Sequence, residues 1–95
     1  MKVTVKRTDI EEGRANANYH CGCPIHRALA RKLKVPTFDD QSSNVLRVPS
    51  RNYATLGKIK IPLPQSAVEF QNRLIADQDA RVRPFSFETE LIAPK

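Results

Sequence analysis

The stretch Tyr19–Lys34, YHCGCPIHRALARKLK, marks the passage from a loop into a helix. Pro24 is typical of the first helical position, because its missing N–H would have no partner within the helix there. Beyond it, apolar residues recur at intervals of three and four and form one stripe: Ile25, Ala28, Leu29 and Leu33. The sequence therefore predicts an amphipathic helix that begins at Pro24, ends before Pro36 and packs on a hydrophobic core.

Segments on either side of this helix have the two-residue period of half-buried strands. They are KVTVK at 2–6, SNVLRV at 43–48, YATLGKIKIPL at 53–63 and RPFSFETEL at 83–91. The turn PSRN would join the second and third, and Gly57 would mark a bulge inside the third. A further helix is predicted in QSAVEFQNRLIADQ at 65–78, with an inward stripe of Ala67, Phe70 and Leu74.

Capping patterns predict where the remaining helices begin. Thr8 and Glu11 have the spacing of a capping box at the start of one short helical turn, which Gly13 would end in a left-handed conformation. Ser66 and Glu69 have the same spacing at the start of the helix that follows Pro64.

Together these elements predict an α+β fold. We expect a small, mostly antiparallel sheet of about four or five strands, with two helices covering one of its faces. A chain of 95 residues can bury only a modest core, so residues 1–95 should form a single domain.

Charge is distributed unevenly along the chain, whose net charge is +6. Residues 1–60 hold 12 Lys/Arg and 5 Asp/Glu, whereas residues 61–95 hold 4 and 5. This asymmetry predicts a basic face that attracts an anion, which could be a nucleotide, a nucleic acid or an acidic protein. The alternative is that the charge only keeps a small domain in solution.

Cysteine usage and hydropathy predict the compartment. Cys21 and Cys23 are too few for a disulfide framework, which favours a reducing environment. No apolar run is long enough for a signal peptide or a membrane span. We therefore expect a cytoplasmic protein with no membrane partner.

Both cysteines and both histidines of the chain lie within one short segment: His20, Cys21, Cys23 and His26. Zinc takes four such ligands in a tetrahedron, usually from separated pairs such as Cys-x2-Cys. Here the four candidate ligands are close together in the sequence, and no second cluster completes the shell, which weighs against zinc. Because four candidate ligands are present, a small zinc-stabilised structural domain is kept as an alternative. A buried Cys23 that anchors the start of the helix explains the same residue without a metal or a cofactor.

The start of the helix at Pro24 offers free backbone N–H groups that can bind an anion. Side chains that could complete this site lie in the loop 14–22 and in the first helical turn: Arg14, Tyr19, His20, Gly22, His26 and Arg27. Arg51 and Tyr53, in and after the turn PSRN, offer a further contact. The sequence thus predicts a site for a phosphate-bearing ligand, most simply a nucleotide.

Catalytic motifs are not found. No serine stands in a nucleophile elbow, and three glycines are too few for a phosphate-binding glycine loop. We therefore predict a binding protein that is not an enzyme. The alternative to a nucleotide ligand is a nucleic acid or a host protein, bound by the basic face of the helix through Arg27, Arg31 and Lys34.

Three motifs are similar to those of a group of small uncharacterised bacteriophage proteins: CPIHRAL at 23–29, LPQSAVEF at 63–70 and VRPFSFE at 82–88. The group also begins with a short strand. This chain departs from the group at His26 and Arg27, where small apolar residues are common. The resemblance implies an accessory protein that acts in the cytoplasm of an infected bacterium. Such proteins often counteract host defence by binding a host protein or sequestering a nucleotide signal, usually as homo-oligomers.

Overall fold

The computed structural model describes residues 1–17, 22–35 and 46–93, and within them three α-helices and five strands. In chain order these are β1 (Lys2–Val5), α1 (Arg7–Gly13), α2 (Pro24–Leu33), β2 (Leu46–Ser50), β3 (Tyr53–Leu56), β4 (Ile59–Pro62), α3 (Gln65–Ala76) and β5 (Phe85–Glu88). A 3₁₀ helix, Arg14–Asn16, continues α1. The α+β class predicted from the alternation of periods is confirmed.

The strands of the described residues form two antiparallel sheets. In the first, β1 pairs with β5, so that Val3 lies opposite Phe87. In the second, the order is β2-β3-β4, and Ala54 lies opposite Ile61. The prediction of one sheet with two helices on one face is therefore not confirmed, although the antiparallel pairing is.

Among the described residues, an isolated bridge joins the segment after β5 to the second sheet. Lys60 and Ile92 exchange two backbone hydrogen bonds, with N···O distances of 2.9 and 2.8 Å. The chain thus pairs with the first sheet through β5 and with the second sheet through Ile92. This segment therefore joins the two small sheets.

Gly57 is the reason why the predicted strand 53–63 is two strands. It has a φ of 61°, a conformation that costs glycine little because it has no Cβ. Gly57 and Lys58 form the turn between β3 and β4, whose Leu56 and Ile59 face each other across the hairpin. The predicted bulge at Gly57 is therefore a hairpin turn.

The core lies between the sheets and the helices. Its fully buried side chains include those of Val3, Val5, Ile10, Ile25, Leu29, Leu46, Ile61 and Leu74. The predicted stripes of α2 and α3 supply much of it, since Ile25, Ala28 and Leu29 are buried, as are Ala67, Phe70 and Leu74. Leu91 does not join the core, because 46% of its surface is exposed.

The helix caps differ from the predicted ones, except at Pro24. The cap of α1 is Lys6, whose backbone N–H donates to Asp9 Oδ2 at 2.8 Å, so Asp9 takes the role predicted for Glu11. In α3 the cap is Pro64, and Ser66 makes no capping hydrogen bond. Pro24 is the first residue of α2, as predicted, and Cys23 precedes it as the cap.

Gly13 does not end α1 in a left-handed conformation, since its φ is −100°. It is needed for a different reason. A Cβ at this position would lie 2.7 Å from Pro24 N and 2.9 Å from the carbonyl carbon of Cys23. Gly13 therefore lets the end of α1 pack directly on the backbone that begins α2.

No helix in the described part of the chain is long and apolar enough to cross a membrane.

Candidate functional site

His26, one of the predicted site residues, is buried in the core with 0% of its surface exposed. Its Nε2 lies 2.7 Å from the carbonyl oxygen of Leu46, and since a carbonyl can only accept, Nε2 carries the hydrogen. Burial lowers the pKa of His26, although the hydrogen bond to Leu46 acts in the opposite direction. The ring is therefore neutral at pH 7, and a ligand at the surface would not contact it.

The start of α2 is also turned inward. Gly22 and Cys23 are buried, and Cys23 Sγ accepts the backbone N–H of His26 at 3.3 Å. One of the free N–H groups on which an anion would depend is thus already satisfied, and the end of α1 covers Pro24 through Gly13. This arrangement supports the interpretation of Cys23 as the anchor of the helix.

The zinc alternative involves residues that lie partly outside the described residues, namely His20 and Cys21. Within the described ranges, no group of three or more His, Cys, Asp or Glu could hold a metal ion. Tyr19, a further predicted ligand contact, lies outside them as well.

Two of the three residues on the basic face of α2, Arg27 and Arg31, pair with carboxylates of α1. Arg31 donates to both oxygens of Asp9, at 2.8 Å from Nη1 and 2.7 Å from Nη2, and Asp9 is only 1% exposed. Arg27 pairs with Glu12, and its Nε lies 3.9 Å from Asp9 Oδ1. We call Arg27 and Arg31 the paired arginines, because each has carboxylate partners.

These contacts shift the pKa of both the buried Asp9 and the exposed Arg31. Burial alone would raise the pKa of Asp9, but the hydrogen bonds from Arg31 and from the Lys6 amide, with the charges of Arg31 and Arg27, lower it overall. The hydrogen bond with Asp9 raises the pKa of Arg31. The ion pair is therefore charged throughout the neutral range, and it joins α1 to α2.

Arg14 and Arg51, which the sequence placed in one site, lie on opposite sides of α3. Arg14 lines a groove with Arg73, and Arg51 lines a second depression with Asn72. Helical residues are separated by about 100°, so the residues of α3 that line the first groove and those that line the second point in nearly opposite directions. Arg51 Nη1 donates to Asn72 Oδ1 at 2.6 Å.

Tyr53 likewise serves the sheet. It is half-buried, and Lys60 Nζ lies 4.6 Å from the centroid of its ring. Among the described residues of the predicted site, only Arg14 lines the larger groove.

That groove has a volume of about 810 Å³ and lies between α1, α3 and the segment that leads into β5. Its lining is strongly basic, with five arginines and one carboxylate, Glu69. We call it the arginine groove, and its arginines are Arg7, Arg14, Arg73, Arg81 and Arg83. Phe70 and Phe85 supply an apolar wall, with ring centroids 4.8 Å apart.

The groove arginines contact backbone carbonyls instead of carboxylates. Three of them donate to the segment 78–82: Arg7 to Val82 at 3.4 Å, Arg14 to Gln78 at 3.2 Å and Ala80 at 3.4 Å, and Arg73 to Arg81 at 3.3 Å. Within the described residues, none of the five forms an ion pair. A guanidinium has five N–H donors, so most of them are left for a ligand.

The segment 81–83 explains how Arg81 and Arg83 reach the groove together. Between them, Val82 is buried, with 4% of its surface exposed. The side chains before and after it, those of Arg81 and Arg83, are exposed and both line the groove. The local pattern Arg-Val-Arg before Pro84 was the available sequence signal.

The sequence prediction missed Arg7, Arg73, Arg81 and Arg83. Three of these lie within residues 61–95, whose net charge is slightly negative because this range holds five acidic residues. Averaging charge over a long segment therefore hid a local cluster, which forms only when α3 and the segment 81–83 meet α1.

Searches against protein-family models, curated proteins and solved structures found no match to this chain.

Proposed function

We propose that this protein binds a phosphate-bearing ligand, a nucleotide, in the arginine groove, and that it does so without catalysing a reaction. The observation that carries the proposal is the set of five guanidinium groups that have no carboxylate partner among the described residues. Uncompensated positive charge lining one concave surface attracts anions, and arginine matches the geometry of phosphate oxygens.

The hydrogen bonds to backbone carbonyls orient the groove arginines before a ligand binds. Arg7 and Arg73 each donate one hydrogen bond to the backbone of 78–82, and Arg14 donates two, so all three side chains are oriented by this segment. A side chain that is already oriented loses less conformational entropy when it binds a ligand. Each charge-assisted hydrogen bond to phosphate is worth about 1.5–3 kcal/mol, so a few of them suffice for micromolar affinity.

The size and composition of the groove favour a nucleotide over inorganic phosphate. Its volume of about 810 Å³ falls in the range of small-molecule sites. Phe85 is half-buried at its wall and offers an aromatic surface against which a base can pack.

The resemblance to small bacteriophage proteins suggests the biological context that we propose. A protein that holds a nucleotide without converting it lowers the free concentration of that nucleotide. Sequestration of a host nucleotide signal in the cytoplasm of an infected bacterium, by a homo-oligomer, would counteract host defence.

A nucleic-acid or host-protein binder that uses Arg27, Arg31 and Lys34 is the rival proposal. The ion pairs of Arg27 and Arg31 with α1 weigh against it, since these charges are already compensated. Lys34 is exposed at the end of α2 and has a left-handed backbone, with a φ of 57°. We therefore favour the groove.

The test is calorimetric titration with pyrophosphate, which probes phosphate recognition alone. The double variant Arg73→Gln/Arg81→Gln should raise the Kd at least about 100-fold, because two charge-assisted contacts are removed. Lys32→Gln/Lys58→Gln is the matched control, since it removes the same charge from exposed residues outside the groove. The control should change the Kd by no more than about threefold.

Equal losses in the two double variants would show that only net charge matters, and would overturn the groove. Binding of a DNA duplex that falls steeply with salt, without binding of pyrophosphate, would favour the rival.

A further inference from the structure

The single carboxylate of the arginine groove, Glu69, has an unexpected partner. It lies four residues before Arg73 on α3, a spacing at which Glu and Arg usually pair on a helix. Here they form no ion pair, since Glu69 Oε1 accepts from Gln65 Nε2 at 3.3 Å and Arg73 donates to the carbonyl of Arg81. Glu69 therefore lines the groove with one carboxylate oxygen, Oε2, that accepts no hydrogen bond from the described residues.

The groove carries different chemical groups near the start and near the end of α3. Ser66 and Glu69 lie near the start of α3, whereas Arg73 lies near its end and Arg14 contacts Gln78 and Ala80 beyond it. Glu69 precedes Arg73 by four residues, which corresponds to about 6 Å along the helix, and Arg14 contacts the chain beyond the end of α3. Near the start of α3 the groove thus presents a hydroxyl and a carboxylate, and near the end of α3 it presents Arg14 and Arg73.

This arrangement matches a molecule with hydrogen-bond donors at one end and phosphates at the other. Of the common bases, guanine alone presents two adjacent donors, N1–H and the 2-amino group, which can bind both oxygens of one carboxylate. Adenine presents one amino group beside the N1 lone pair, which a carboxylate repels. An ionised carboxylate only accepts hydrogen bonds, so it discriminates between these two edges.

We infer that the ligand of the arginine groove is a guanine nucleotide, with its base bound by Glu69 and its phosphates by Arg14, Arg73 and Arg81. This inference rests on the proposed function and adds the identity of the base and the direction in which the nucleotide lies. Ser66 Oγ stands one helical turn from Glu69, where its hydroxyl can donate to the guanine O6. Phe85 packs against the base.

The experiment compares GDP, IDP, ADP and pyrophosphate by calorimetric titration of wild type and Glu69→Ala. IDP lacks only the 2-amino group of GDP. Wild type should bind GDP about 10- to 100-fold more tightly than ADP, the range that a bidentate contact to a base supplies, with IDP between them. In Glu69→Ala the three nucleotides should differ by no more than about threefold, and pyrophosphate should bind at least as tightly as in wild type.

Glu69→Ala should fold normally, because the residue is exposed on a helix and alanine is the best helix former. Glu11→Ala, an exposed carboxylate on α1, is the matched control and should retain the preference for GDP. Equal affinities for GDP and ADP in wild type, or a preference that survives in Glu69→Ala, would overturn the guanine assignment while leaving the proposed function intact. Absence of binding by all four probes would overturn both.

Discussion

The two sets of arginines in this protein differ in their partners more than in their exposure. The paired arginines, Arg27 and Arg31, contact carboxylates of α1, and Arg31 holds both oxygens of the buried Asp9. The groove arginines contact backbone carbonyls or have no described partner. The comparison teaches that a count of basic residues does not locate an anion site, because charge that is already compensated within the fold attracts little.

Removal of Asp9 should leave the paired arginines without their shared carboxylate and should have the largest effect on stability. In Asp9→Ala, Arg27 and Arg31 lose their shared partner and the Lys6 N–H loses its acceptor. We expect the free energy of unfolding in urea to fall by about 3 kcal/mol, because three hydrogen bonds to the buried carboxylate are lost. Glu11→Ala, on the same helix but exposed, should change it by less than about 0.5 kcal/mol. A similar loss in both variants would contradict the role given to the pair.

A Cβ at Gly13 should separate the two helices that carry the pair. In Gly13→Ala the new carbon would lie 2.7 Å from Pro24 N, and backbone atoms cannot move aside as a side chain would. Overpacking of this kind costs about 1–3 kcal/mol, which urea denaturation would detect. Gly57→Asn is a suitable control, because asparagine tolerates the left-handed conformation at that turn. Unchanged stability of Gly13→Ala would show that α1 and α2 can slide apart at little cost.

Burial of His26 makes stability depend on pH. The ordinary pKa of histidine is 6.5, and burial lowers the pKa of His26 in the folded protein. Below pH 6.5 the unfolded chain therefore binds more protons than the folded one, so the contribution of His26 is complete above that pH and is lost as the pH falls.

Denaturation curves between pH 7.5 and 5 would measure this loss, which reaches at most about 1.4 kcal/mol per pH unit for one proton. His26→Gln should be less stable at pH 7.5 but should lack the part of the slope that belongs to this ring. Parallel slopes for the two proteins would mean that His26 is protonated in the folded state as readily as in the unfolded one.

Removal of a groove arginine should have the smallest effect on stability. Arg83 is exposed and makes no hydrogen bond or ion pair with a described residue. Arg83→Gln should therefore change the free energy of unfolding by less than about 0.5 kcal/mol. A fall above about 1 kcal/mol would show that the groove arginines hold the fold as the paired ones do.

Sequence reasoning predicted the fold better than it predicted the site. The stripes of α2 and α3 and the alternation in β1 and β5 depend on local period, which the sequence contains directly. The division of the predicted strand 53–63 into β3 and β4 depends on how Gly57 turns the chain, and glycine is compatible with either a bulge or a turn.

The site was harder to predict because pairing is not local. Arg31 and Asp9 are separated by 22 residues, and only the packing of α1 on α2 brings them together. The sequence shows Arg27 beside a helix start but cannot show that Glu12 compensates it. Arg14 lines the groove, but most of the residues that line it with Arg14 come from positions 66–85, far along the chain.

The most direct test compares one arginine from each set, Arg31→Gln and Arg81→Gln, by measuring both the free energy of unfolding and the Kd for pyrophosphate. We expect Arg31→Gln to lose about 2 kcal/mol of stability while its Kd stays within about threefold of wild type. Arg81→Gln should keep its stability within about 0.5 kcal/mol and bind about 10-fold more weakly. The opposite pattern, or equal effects of the two variants on both quantities, would contradict the division of the arginines into a structural set and a binding set.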